Sequence, residues 1–131
     1  MPAYTNDPRP AFDGRMAIHA FLTLVMLWLG FVLFMPGSTF DGNRSWRLFA
    51  QMLPESTWAF LFLVAVIVGG VGLATARRSL RIASALGLAT AHGSIALLFF
   101  LSNPQGDASG TYGLIALLGY YLGFRHARQG V

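Results

Sequence analysis

The chain has 131 residues, of which 55% are apolar and 11% charged, with no cysteine and a formal net charge of +4. That much apolar surface cannot be arranged as an ordinary soluble exterior around one small core, so the sequence reads as a single membrane domain, 1–131. Lack of cysteine removes disulfides, thiolate nucleophiles and cysteine metal sites, and the basic balance reads as topology signal and headgroup contact, with no nucleic-acid partner.

Taken in order, the predicted elements begin with an apolar span from Met16 to Met35. It is too long for a secretory h-region, lacks a strongly cationic flank and is followed by no small-residue cleavage site, so it is expected to stay as the first helix. Phe21, Leu24, Trp28 and Phe31 make it bulky nearly all round, which suits contact with lipid or another subunit. Pro36-Gly37 ends the span and Asp41-Gly42-Asn43 reads as a turn. Ser45 then caps a predicted short helix, about 45–53, in which Trp46, Phe49, Ala50 and Leu53 recur at helical spacing and Arg47 takes another face. This is an expected amphipathic helix in the membrane plane, anchored among headgroups by Trp46 and Phe49. It serves either as a seal over the bundle's outer end or as a docking surface, with Arg47 and Glu55 the candidate docking residues. Pro54 ends it, and Glu55-Ser56-Thr57 offers acceptors to the first amides of the next span.

Thr57 to Ala76 and Ile82 to Leu101 form the second and third spans, and Thr111 to Phe124 a shorter fourth. Each of the first three runs 20 residues without Asp, Glu, Lys or Arg, about 30 Å of helix at roughly 1.5 Å per residue, which matches a hydrocarbon core. The expected fold is therefore all-α, an integral membrane four-helix bundle. All nine basic residues are arginine. With the amino terminus inside, Arg9, Arg15, Arg77, Arg78, Arg81, Arg125 and Arg128 are cytoplasmic and only Arg44 and Arg47 face out, which places both termini in the cytoplasm of a bacterial inner membrane. Trp46, Trp58 and Tyr112 fall at the outer interface.

Lipid gives no hydrophobic drive for helix association, so close packing through small residues must supply it. Ala83, Gly87 and Ala91 form one stripe on the third span, with Ala85, Ala89 and Gly93 on a neighbouring one. The second span brings Ala65, Gly69 and Gly72, and the fourth Gly119 and Gly123. The third span is the expected central helix, with Gly87 at a close crossing.

Three histidines are the only candidates for membrane chemistry. His92 lies near the midplane and His19 near the cytoplasmic face, a depth difference of about 10 Å that argues against a shared haem. His92 is read as a packed, hydrogen-bonded side chain and His126 as interfacial. None of Asp7, Asp13, Asp41, Glu55 and Asp107 lies within a predicted span, as proton-coupled transport would require. The hydrolase and phosphate-loop patterns are missing as well, so no enzyme, catalytic residue, metal, cofactor or small-molecule substrate is expected.

The run Pro36-Gly-Ser-Thr-Phe40, followed by Ser45-Trp-Arg47, Leu53-Pro-Glu55 and Trp58-Ala59, resembles a pattern in small four-span membrane proteins of tailed bacteriophages and prophages. The resemblance covers the first two spans and their loop and continues through the arginine turn to Leu101-Ser-Asn-Pro104. It implies a phage or prophage origin and transfers no catalytic residues. The fourth span departs from it in being short and rich in glycine and tyrosine. Together these readings lead to an interaction protein that uses its outer loop on a host or phage membrane partner, as in superinfection exclusion. A holin-like lysis protein and an accessory subunit of a larger membrane complex are the alternatives.

Overall fold

The computed structural model describes residues 14–128; Asp7, Arg9 and Asp13, to which roles were assigned above, lie outside the described residues. Those residues form an all-helical chain: α1 (Gly14–Phe34), a 3-10 turn (Arg44–Trp46), α2 (Arg47–Met52), α3 (Glu55–Ala74), α4 (Arg78–Ser102) and α5 (Asp107–Arg128). Three of them, α1, α3 and α4, are long and apolar enough to cross a membrane. α5 extends four residues beyond each predicted end, and its 22 residues give about 33 Å of helix at roughly 1.5 Å per residue. Asp107 in its first turn and Arg125, His126 and Arg128 in its last turn both suit the helix dipole. The apolar count alone marks only the middle of such a helix.

The long helices pack up and down in sequence. Gly30 of α1 faces Leu63 and Ala59 of α3, Gly72 of α3 faces Ser84 of α4, and Gly119 of α5 faces Ala89 of α4. A methyl group at Gly119 would lie 2.8 Å from the Ala89 Cβ and 3.1 Å from its Cα, and one at Gly123 would lie 2.7 Å from Leu86 Cδ2. Gly69 closes in the same way on Thr23, and Gly72 on Ser84 and His19. These contacts let backbones approach and gain dispersion and hydrogen bonding where apolar burial gains nothing over lipid.

One expected stripe is displaced. Ala83 and Gly87 are exposed and Ala91 is half-buried, while Ala85 and Ala89 are fully buried. A methyl group on Gly87 would meet only Val68 Cγ1, at 3.8 Å. α4 is rotated from the expected orientation because its interior face also has to bury Leu88, His92, Ile95 and Phe99, which share the stripe of Ala85 and Ala89. Outward the bundle presents a belt of large apolar side chains, among them Trp28, Phe60, Ile67, Leu97, Leu114 and Leu117, each more than half exposed. On a soluble protein such a belt would drive aggregation; on a membrane protein it is the lipid face.

Candidate functional site

The segment between α1 and α3 folds back over one end of the bundle. Glycines make the turns possible: Gly37 has φ +128° and Gly42 φ +74°, conformations that side chains disfavour. Asn43, not Ser45, caps the 3-10 turn, its Oδ1 accepting from the Ser45 amide at 3.0 Å. Glu55 does not cap α3 with its side chain; the Thr57 and Trp58 amides donate to the Pro54 carbonyl, and Glu55 Oε1 accepts from the Thr39 amide at 3.0 Å. That bond ties the start of the loop to the start of α3. Arg47 and Glu55 are thus not paired with each other, and they face different tasks.

Trp46 and Phe49 are not headgroup anchors. Phe49 is fully buried and Trp46 is 8% exposed. Their rings lie 4.9 Å apart, Trp46 packs edge-on against Phe99 at 4.9 Å, and Phe49 packs against Trp58 at 4.9 Å. Phe40 stacks on Trp46 from above at 5.4 Å, and Tyr112 reaches Phe99 at 5.4 Å. Edge-on and offset contacts of this kind add to the area the rings bury. Trp58 Nε1 donates to the Phe49 carbonyl at 2.9 Å, and the Leu48 amide donates to Ser102 Oγ at 3.2 Å. Trp46 and Phe49 therefore point into the bundle's end, where Phe99 and Tyr112 offer a deeper apolar seat than the headgroup layer, whereas Ala50 of the same expected stripe is exposed and Leu53 only half-buried. Phe40, Phe99 and Ser102 are the partners that sequence reasoning missed. Each falls in a loop or at a helix end with nothing local to mark what it meets.

Outside the cap, two cations stand among apolar and polar neighbours. Arg44 and Arg47 are exposed, and with Phe40, Asn43, Ala50 and Gln51 they line a surface groove of about 420 Å³. Neither guanidinium has an ion-pair partner among the described residues. The groove rests on the buried aromatic cluster, so its two cations are held on a packed platform.

At the opposite end the bundle gathers Arg15, Arg77, Arg78, Arg81, Arg125 and Arg128. Two of these arginines hold helix termini together. Arg78 Nε donates to the His126 carbonyl at 3.0 Å and its Nη2 to the Ala127 carbonyl, while Arg81 Nε donates to the Thr75 carbonyl at 2.7 Å. These bonds satisfy carbonyls at the C-terminal ends of α5 and α3. Arg128 lies 4.2 Å over the Phe124 ring and Arg125 lies 5.9 Å from that of Tyr121, while Arg77 is exposed.

All three histidines are buried. His126, expected at the interface, is only 8% exposed because the longer α5 carries it onto the helix's inner face with Gly119, Leu122 and Gly123. Its ring centroid lies 6.4 Å from that of His19. Ser84 Oγ donates to the Val68 carbonyl at 2.8 Å and lies 2.9 Å from His19 Nε2. The serine's one proton is committed to that carbonyl, so His19 Nε2 carries the N–H and donates to Ser84. Thr23 Oγ1 donates back to the His19 carbonyl at 2.9 Å. His92 Nδ1 is 2.8 Å from the Leu88 carbonyl and therefore carries its proton there; its Nε2 is buried with no hydrogen-bond partner among the described residues. Thr90 and Ser94 are not its partners: Thr90 Oγ1 pairs with Tyr120 Oη at 3.3 Å, and Ser94 donates to the Thr90 carbonyl at 2.9 Å.

The fold and its belt are those of a helical membrane protein, with three helices long and apolar enough to cross a membrane. No protein-family model, curated protein or solved structure matches the chain.

Proposed function

We propose that the chain is a non-enzymatic, four-span protein of the bacterial inner membrane, phage- or prophage-encoded, with both termini in the cytoplasm. Its capped outer end acts on a membrane partner, a host or phage protein, as in exclusion of a second phage. The observation that carries this reading is the groove of Arg44 and Arg47 on the cap, two exposed cations without an ion-pair partner among the described residues. Exposed charge on a packed surface governs partner choice and encounter more than it governs folding. Six described arginines at the other end support the cytoplasmic assignment of that end.

The test replaces Arg44 and Arg47 together with alanine. The expected result is a normal protein level in the membrane with loss of the phage-exclusion phenotype. Unchanged exclusion by the double variant removes the docking reading. A second reading, a holin-like protein that self-associates into a lesion, draws on the exposed Ala83 and Gly87 of α4, where a methyl group on Gly87 would meet only Val68 among the described residues. A membrane-potential dye in the same cells separates the two: abrupt depolarisation on accumulation favours the lesion, and steady potential with altered phage susceptibility favours the partner.

A further inference from the structure

The arginine end holds a cavity that the docking reading does not use, and all four long helices wall it. Met16, His19, Gly72, Leu73, Arg81 and His126 line about 10 Å³, roughly the space that admits one water-sized group. Two imidazoles facing one small space raise the question of a metal ion, and charge answers it. Arg81 lines the same cavity, and five further described arginines stand at that end. The described acidic residues, Asp41, Glu55 and Asp107, are all at the opposite end, in the cap loop or at the starts of α3 and α5. With no described carboxylate at the arginine end to offset it, the local field repels a cation and attracts an anion.

Arg81 has the donors for one. Its Nε is spent on the Thr75 carbonyl, and its other N–H groups make no hydrogen bond or ion pair among the described residues. The guanidinium fork matches phosphate oxygens, and basic pockets between transmembrane helices at the cytoplasmic face recognise lipid headgroups. Arg125 and Arg128 beside the Tyr121 and Phe124 rings mark this end as the headgroup layer.

We propose that the cavity and its Arg81 rim bind the phosphodiester of an anionic phospholipid, one phosphoryl oxygen entering the cavity on the His126 side, since the His19 N–H is spent on Ser84, and the rest meeting the Arg81 guanidinium at the mouth. The volume admits a single oxygen and keeps the ester at the membrane surface, where its acyl chains remain in the bilayer. This assignment does not depend on the partner proposed for the cap.

The test is native mass spectrometry of the full chain in a mild nonionic detergent, titrated with phosphatidylglycerol or phosphatidylethanolamine. One phosphatidylglycerol should be retained per chain at concentrations where phosphatidylethanolamine is lost. Arg81→Gln should weaken retention about tenfold, while Arg128→Gln, at the same end but outside the cavity, should leave it unchanged. Arg81 also braces the turn after α3, so helicity by circular dichroism is measured alongside. If Arg81→Gln fails to fold, His126→Gln supplies the decisive comparison with Arg128→Gln. Equal retention of the two lipids, or equal weakening by the cavity and Arg128 variants, overturns the proposal in favour of a diffuse basic surface. Displacement by millimolar inorganic phosphate overturns the lipid assignment and leaves a free anion as ligand.

Discussion

At the scale of single residues, what matters is which small side chain stands at a crossing. Gly119 and Gly87 are both helical glycines eight or fewer residues from a histidine, yet their surroundings are opposite. Beyond Gly119 stands the backbone of Ala89, which cannot swing aside; beyond Gly87 there is only the tip of Val68. Gly119→Leu should therefore force α4 and α5 apart and cost about 1–3 kcal/mol or more. Gly87→Ala should stay within about 1 kcal/mol of the parent, with the higher helix propensity of alanine in its favour. Thermal unfolding of both variants in detergent checks this, and a Gly87→Ala chain that melts as early as Gly119→Leu would show that α4 is turned the other way. The sequence displayed both stripes of α4 and carried no mark of which one is inside. That choice depends on where Leu88, His92, Ile95 and Phe99 go, and all four side with Ala85 and Ala89.

At the scale of elements, the cap is where local reading and tertiary structure diverge most. α2 has the periodicity of an interfacial helix, and periodicity reports an apolar face without reporting what covers it. Here the cover is protein, so Phe49 is a core residue, and Phe49→Ala should cost about 3–5 kcal/mol. The loss should register as protease cleavage within the 36–54 loop and as a lower melting temperature. Arg47→Ala, on the exposed side of the same helix, should change stability by no more than about 0.5 kcal/mol. A helix lying among headgroups would give a different pattern, with Phe49→Ala leaving the melting temperature of the bundle unmoved. Trp58 and Tyr112, placed by the sequence at the outer interface, lie at that end of the bundle, but each is half-buried and engaged with the cap cluster.

At the scale of the whole molecule, arginine segregation is the feature with the widest consequence. Both ends inside predicts that a reporter active only in the cytoplasm works when fused after Arg78 or at position 131, and that a periplasmic reporter works between Asn103 and Gly110. Activity of the opposite kind at any of the three positions would overturn the four-span arrangement with both ends inside. The sequence by itself determined the helical class, the three helices of spanning length and the sorting of charge to one end, because length, hydropathy and arginine position are properties of the chain that need no neighbour. Only the tertiary structure decided that α5 is a full-length helix, that Ala85 and Ala89 rather than Ala83 and Gly87 meet a partner helix, that the loop plugs the bundle, and that His19 and His126 share one cavity. Each of those outcomes is set by contacts between residues far apart in sequence, such as Gly119 with Ala89, Leu48 with Ser102 and His19 with Ser84. The physical reason is that helix formation in lipid is local, satisfied by each segment's own backbone, whereas the choice of which face meets which helix is a competition among side chains that no single segment contains.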